Sequence, residues 1–371
     1  MALRKVVAIC SSTDQLDYLK KAEPYLWITP YAAVMLHEQH LLFTAEMMCK
    51  RLAGHPARWA GDPLLKAKAR TFGWLYIDSP EFGPGKALFL QRLAACGIRP
   101  TTVGLSADLA EQQSQMPTAI AKMKASGVNV IVLDAGFLGG GVATKQATNQ
   151  SYRPEWFATG FAYTDATIFI RTAYDPTQAA ALYAFREVPL QPAKEKGDGW
   201  SLYRWEHGEN PPAKLLGQDS MLPVWQTLAA GIQLAGPNLT PLSFRDGLLR
   251  QPPFGGSYTG SVSSAGKSFG HRGIWPWETN AYFDNTAVDD ATFTWWSSTA
   301  SGQDESGKPG VGMMMFVDGG RRFRLGALPT GEPDFFNPGN GTAEIADLGA
   351  ADKPASYPNK KGCSNRQACW S

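Results

Sequence analysis

The sequence predicts an α/β protein built on a parallel, doubly wound sheet, and three observations carry that prediction. Between Arg70 and about Trp156, apolar runs of strand length alternate with segments of helical spacing. Two of those helical segments stop at a glycine, Gly97 and Gly127. Strands alternating with helices of this length require right-handed crossovers, and such crossovers pair strands in parallel.

Taken in order, Lys5 to Ile9 reads as a strand, followed by an irregular stretch through Trp27 and Pro30. A long helix is expected around Ala33 to Leu52, ended by Gly54. Phe72 to Ile77 (FGWLYI) is a strand, and Lys86 to Cys96 places Leu88, Leu90, Leu93 and Ala94 near helical spacing. Thr101 to Leu105 and Val128 to Leu133 are the next strands, preceding helices at Pro117 to Ala125 and Gly139 to Gln150, and Glu155 to Thr159 is a shorter one. Helical patterning returns at Gln178 to Ala184 and at Ser220 to Leu234. Thr240 to Gly247 reads as a short helix with an N-cap Thr and Pro at its first position. After Pro252 glycine, serine and tryptophan dominate, strands are expected to be short, and the tail from Asn337 is loop-like. No internal repeat is visible.

With 371 residues, 44% of them apolar, the chain has material for two or three domains with real cores. Basic and acidic residues nearly balance at a net charge of +2, and no Lys/Arg run tracks phosphates, so nucleic acid is excluded as an expected partner. No apolar stretch reaches the roughly 18 to 20 residues that span a bilayer. The first residues turn polar at Ser11 and read as a strand leading into a loop, not as a signal peptide. Of five cysteines, Cys10, Cys49 and Cys96 are far apart, while Cys363 and Cys369 are close enough to staple the tail in an oxidising compartment.

Several patterns carry candidate chemistry. Gly266 to Gly270 matches the GxSxG nucleophile elbow, which with Ser268 and His271 gives a serine-hydrolase reading; its flanks lack the strand and helix the elbow needs. His37 and His40 are three apart where a zinc helix needs four, so a solvated helix face is expected. The run Gly136-Phe137-Leu138-Gly139-Gly140-Gly141 lacks a nucleotide fingerprint but places free N–H groups at a sheet's carboxyl edge, which favours an anionic or carbonyl-bearing ligand. Asp78 and Asp134 each follow a parallel strand, and ligand contact and loop capping are equally open for them. Trp275 and Trp277 could stack on a ring, whereas Trp295 and Trp296 are expected to pack a core. No cofactor or metal is expected.

Leu93 to Gly97, Val128 to Leu133 and Tyr152 to Gly160 (YRPEWFATG) together resemble the second lobe of type I periplasmic solute-binding proteins, in the leucine/isoleucine/valine-binding branch. Gly231 to Thr240 with Phe244 to Leu248 is similar to the helix pair returning to the first lobe, and Val317 to Phe323 to a C-terminal strand of the same group. The resemblance implies two Rossmann-like lobes joined by three hinge strands that close on a small-molecule ligand. It further implies an extracellular or periplasmic location, delivery to an ABC permease, and no catalysed reaction.

Family members carry several β-α units ahead of the strand resembling Lys5 to Ile9, so the resemblance implies an incomplete first lobe. The expected division is 1–69 partial lobe 1, 70–192 lobe 2, 193–251 helices returning to lobe 1, and 252–371 a Gly/Trp-rich, irregular region packing on lobe 2. Helix faces such as Leu41 to Met48 and Trp225 to Ile232 are then expected to be uncovered and to promote association. By the same resemblance Phe82, Phe137, Phe161 and Tyr163 are aromatic walls, and Asp78, Asp134, Asp165 and Gly136 are polar or backbone contacts. Only Asp165 is acidic in the loop where amino-acid-binding relatives pair the ligand's ammonium, so an apolar or aromatic solute is at least as consistent as a branched amino acid. A ligand sensor on the same fold is the remaining alternative.

Overall fold

The computed structural model describes residues 4–10, 16–28, 35–212, 218–270, 273–278 and 286–346. Cys363, Cys369 and His271 lie outside the described residues. The chain begins with β1 (Ala8–Cys10), α1 (Leu16–Ala22) and β2 (Leu26–Ile28), where β1 and β2 form a two-stranded parallel sheet. Helix α2 (His37–Met47) follows and runs on into a π turn over Met48–Leu52. After α3 (Pro63–Lys66), the units β3 (Phe72–Ile77), α4 (Gly83–Ala95), β4 (Thr101–Leu105), α5 (Leu109–Ala125), β5 (Val130–Asp134), α6 (Gly136–Asn149) and β6 (Glu155–Ala158) alternate as the sequence predicts.

Helix α5 begins well before Pro117, which sits inside it. The reason is Asp108, whose Oδ1 accepts from the backbone N–H of Ala110 and Glu111 and caps the helix there. The helix expected at Gln178 to Ala184 resolves differently. It divides into α8 (Pro176–Ala179), which follows α7 (Thr167–Ala173), and a buried strand, β7 (Leu182–Arg186). The Leu-Tyr-Ala-Phe run suits a strand buried on both faces, a pattern that periodicity alone does not separate from a helix.

Next come β8 (Gln191–Pro192), α9 (Asp198–His207), α10 (Gln218–Ala235), α11 (Pro241–Arg250) and α12 (Gly256–Thr259). The short strands expected after Pro252 are replaced by a long hairpin, β9 (Asp290–Gln303) and β10 (Pro309–Val317). Three small strands end the described residues: β11 (Phe323–Arg324), β12 (Gly341–Ala343) and β13 (Ile345–Ala346), so the segment from Asn337 is not loop throughout.

Eight strands of the nine-stranded sheet run β12-β10-β9-β7-β6-β5-β3-β4, with β11 paired to β9. The five from β4 to β7 are mutually parallel, and β9 joins β7 antiparallel with Tyr183 opposite Trp295. One face carries α2 and α4, packing Leu41, Phe43, Phe89 and Leu93 on Trp74, Val132 and Tyr183. The other carries α5, α6 and α7, with Met116, Ile120, Ala143 and Ile170 against Leu75, Ile131 and Leu133. Full burial of such a side chain contributes about 1.5 to 3 kcal/mol, so both layers are firmly held. Leu41 to Met48, expected to be uncovered, is therefore almost wholly buried.

A smaller core joins β2, α11 and the segment before β9 through Trp27, Phe244, Leu248, Phe269 and Ala287. On its outside the expected apolar exposure is real, with Trp225 59% and Ile232 42% exposed. Cys49 and Cys96 form a disulfide at a Cα separation of 5.8 Å, tying the end of α2 to the end of α4. Their distance in sequence gave no hint of it.

Candidate functional site

Strand β3 leads to its neighbour on one side, β4, and then the chain crosses back to β5 on the other. That reversal opens a crevice outside the carboxyl ends of β3 and β5, the place where doubly wound sheets take ligands. Asp134 is the last residue of β5, Phe82 follows β3, and Phe161 follows β6, so the topology brings the three to one edge.

The crevice is filled from above by the first turn of α2. The His37 Nε2–H donates to Asp134 Oδ2 at 2.9 Å, and the Thr159 hydroxyl donates to Asp134 Oδ1 at 2.9 Å. Asp134 is only 1% exposed, so these donors replace the water its carboxylate has lost. The imidazole nests in the angle of two phenyl rings, its centroid 4.7 Å from Phe82 and 4.6 Å from Phe161. Among the described residues its Nδ1 has no hydrogen-bond partner; it is buried and faces Gly85, where a Cβ would stand 3.2 Å away. A side chain there would hold α2 off the sheet edge.

One helical turn on, His40 Nε2 donates to Glu187 Oε2, which also accepts from the Met35 N–H at 2.9 Å. Burial alone would depress the His40 pKa; the Glu187 carboxylate, with Asp134 and Asp165, outweighs it and leaves the imidazolium favoured. Arg186 stands beside this pair among acids. It donates to Asp165 Oδ2 at 2.9 Å and forms an ion pair with Glu344 at 2.8 Å, with Glu305 further out at 3.7 Å. Burial pushes Asp165 up to about 6 and Glu344 up to about 8, each only partly offset by Arg186. Three carboxylates share one guanidinium.

The sequence-derived residues divide accordingly. Phe82, Asp134 and Phe161 meet in the crevice. Asp165 is buried but turned to Arg186. Asp78 is exposed and pairs with Lys86 at 3.3 Å. Phe137 stacks on Phe169 at 3.9 Å, and Tyr163 is exposed beside that pair. Gly136 opens α6 with a φ of +67°. The glycines behind it serve packing, since a Cβ on Gly140 would collide with Tyr174 and Leu133 and one on Gly141 with Ala173.

The expected solvated face at His37 and His40 is corrected, because both imidazoles are buried and point into the edge cluster. No pattern in the sequence marked that burial: the helix carries Glu38, Gln39 and Glu46 beside its apolar residues, and its depth is set by the elements packed on it.

The hydrolase reading loses its geometry. Ser268 is buried, its N–H donates to Ala287 O at 2.8 Å, and no helix follows through residues 269–270 or 273–278. Trp275 and Trp277 stack on each other at 5.5 Å and are buried, as are Trp295 and Trp296. Among the described residues no cluster of three or more His, Cys, Asp or Glu is placed to hold a metal, and no helix is long and apolar enough to cross a membrane.

A surface cavity of about 480 Å³ lies elsewhere, between α7 and the β9–β10 hairpin, with Ile170, Arg171, Trp296 and Val311 in its wall. Arg171 donates there to the carbonyls of Gly302, Lys308, Gly310 and Gly312, which pins the hairpin to α7. It shares nothing with the crevice.

No family model matches the sequence, and no curated protein does. Solved structures do. A solute-binding protein of an ABC transporter from Rhodopseudomonas palustris HaA2, in complex with p-hydroxybenzoic acid, aligns with a TM-score of 0.54 at 10% identity over 86% of this chain and 73% of that one. Another R. palustris solute-binding protein, in complex with 4-hydroxybenzoate, gives 0.52 at 11% identity over 89% and 74%. A leucine-binding protein from Thermotoga maritima gives 0.50 at 11% identity over 79% and 71%. Across such matches the chain spans 63% to 74% of the solved protein's length. The fold is that of the type I periplasmic binding proteins.

Proposed function

We propose that the chain is the solute-binding component of an ABC importer, capturing a small amino-acid-like, amide or aromatic solute outside the cell membrane and presenting it to a permease. The observation that supports this most is the crevice itself. It lies at the topological switch of a parallel sheet, is walled by Phe82 and Phe161, is anchored by Asp134, and is capped by His37 in the first turn of α2. In this reading the first turn of α2 yields to the solute while the rest of the helix stays packed on the sheet, and contacts of the solute with both sides favour the closed state.

The similar solved proteins bind solutes for transporters, which agrees with this reading. The disulfide between Cys49 and Cys96 agrees with an oxidising, extracytoplasmic setting. Of the sequence-derived residues, Phe82, Asp134 and Phe161 are assigned to the solute.

The test is a thermal-shift and calorimetric screen of the full chain against amino acids, amides and aryl acids. A solute at 100 times its Kd stabilises by about 2.7 kcal/mol, so a true ligand raises Tm by several degrees, and Asp134→Ala abolishes the rise. A screen in which no solute moves Tm, or in which Asp134→Ala responds as the parent does, rejects the proposal.

A further inference from the structure

The strongest clue to what the crevice accepts is what already fills it. The His37 imidazole is a flat ring lodged against Phe82 and Phe161, whose own centroids stand 5.3 Å apart, and it presents one N–H to a buried carboxylate. Every feature a pocket needs for a small heterocycle is present, and the occupant is a side chain of the same polypeptide.

We infer that His37 is a built-in surrogate for the solute, and that the crevice selects a planar ring carrying an N–H donor, of the imidazole or amino-heteroaromatic kind. The inference rests on the receptor reading above and narrows its ligand class. Asp134 decides the class. Its Oδ1 is already matched by Thr159, and Oδ2 at this burial must keep a donor or remain an unmatched charge. A ring without a donor leaves it unmatched, and an aryl carboxylate brings a second negative charge toward it. A ring N–H in the place of the imidazole restores the hydrogen bond that His37 gives up.

Self-occupation also sets the order of events. The solute competes with a tethered ring, so the unliganded chain holds its edge cluster assembled and opens only for a ring that replaces the lost contacts.

The experiment removes the surrogate and offers it back. His37→Gly leaves a ring-sized hole, and imidazole is titrated into it by calorimetry, with benzoate as the ring lacking a donor. We expect imidazole to bind at millimolar concentration or tighter, benzoate to bind at least tenfold more weakly, and Asp134→Asn in the His37→Gly chain to weaken imidazole at least tenfold. Equal binding of the two rings, or no binding of imidazole by the folded variant, overturns the inference.

The unmodified chain supplies a second arm, free of the folding risk. Histamine should displace the His37 ring and remove the downfield Nε2–H proton resonance that its hydrogen bond to Asp134 produces. If leucine or 4-hydroxybenzoate binds the unmodified chain with that resonance unchanged, the receptor reading stands and the surrogate falls. If no solute binds the unmodified chain while His37→Gly still takes imidazole through Asp134, the pocket chemistry stands and the receptor reading falls.

Discussion

His40 and Glu187, 147 positions apart in sequence, meet as a buried imidazole and a half-buried carboxylate one helical turn from the His37–Asp134 contact. With His37 on Asp134, the pair fastens one helix face to the carboxyl ends of two strands, β5 and β7. The charge states of this edge therefore govern how firmly α2 is held.

Stability should fall as pH rises from about 4 to 8. His40, Asp165 and Glu344 all have folded-state pKa values raised above their ordinary ones, Asp165 to about 6 and Glu344 to about 8. A raised group stabilises fully below its unfolded pKa and loses that contribution as pH climbs through its folded pKa. All three have the same sign, so their effects add. A falling urea midpoint across the window is expected, and His40→Gln should flatten the upper part of the slope. A midpoint that climbs over this range contradicts the assignment.

Replacing Asp134 by Ala should cost about 2 kcal/mol, because the His37 N–H and the Thr159 hydroxyl lose a buried acceptor together. Chemical denaturation measures it. A cost within about 0.5 kcal/mol, as for an exposed surface site, would show that the edge is hydrated.

At the opposite end of the sheet, Arg70 pairs with Glu155 at 2.8 Å with both side chains fully buried. Tyr183 also donates to that carboxylate at 3.0 Å. Glu155→Gln should destabilise by about 3 kcal/mol, since it takes one of two carboxylates from a buried guanidinium and leaves it to Glu332, yet leave solute binding intact in the folded fraction. Loss of binding at full folding would mean that the two edges are coupled.

Reducing the Cys49–Cys96 bond should lower stability by about 4 kcal/mol on the chain-entropy account of a loop this long. Peptide mapping under non-reducing conditions should recover the linked fragments, and identical denaturation curves with and without reductant would refute the bond.

The patch at Trp225 and Ile232, continued by the exposed Leu239 and Leu242, should drive concentration-dependent association. Sizing and light scattering of the parent against a Trp225→Ser, Ile232→Asn double variant test this; equal masses at all concentrations speak against it.

Much of the sheet was legible because its strands are apolar runs bounded by glycine and helical spacing; Phe72–Ile77 and Thr101–Leu105 appear at the predicted residues. β7 was not, since a strand buried on both faces lacks the alternation that marks one. The long β9 was not either, as its Thr- and Trp-rich pattern sits in a glycine-rich context that reads as irregular. At the crevice, Asp134 was legible because position after a parallel strand fixes the edge it reaches, whereas Phe82 and Phe161 were named only through the family resemblance. His37 and His40 could not, because their partners are set by tertiary packing between helix and sheet and leave no local spacing in the sequence.

The register of Tyr183 opposite Trp295 has a kinetic corollary. The pairing joins residues more than a hundred positions apart, and closing so long a loop comes late and slowly. During synthesis, the parallel strands wait with β7 as a bare border until the hairpin emerges. Trp295 and Trp296 are therefore natural fluorescent reporters of the final zipping step, and a chain stopped before residue 290 would leave that border free to pair with another molecule.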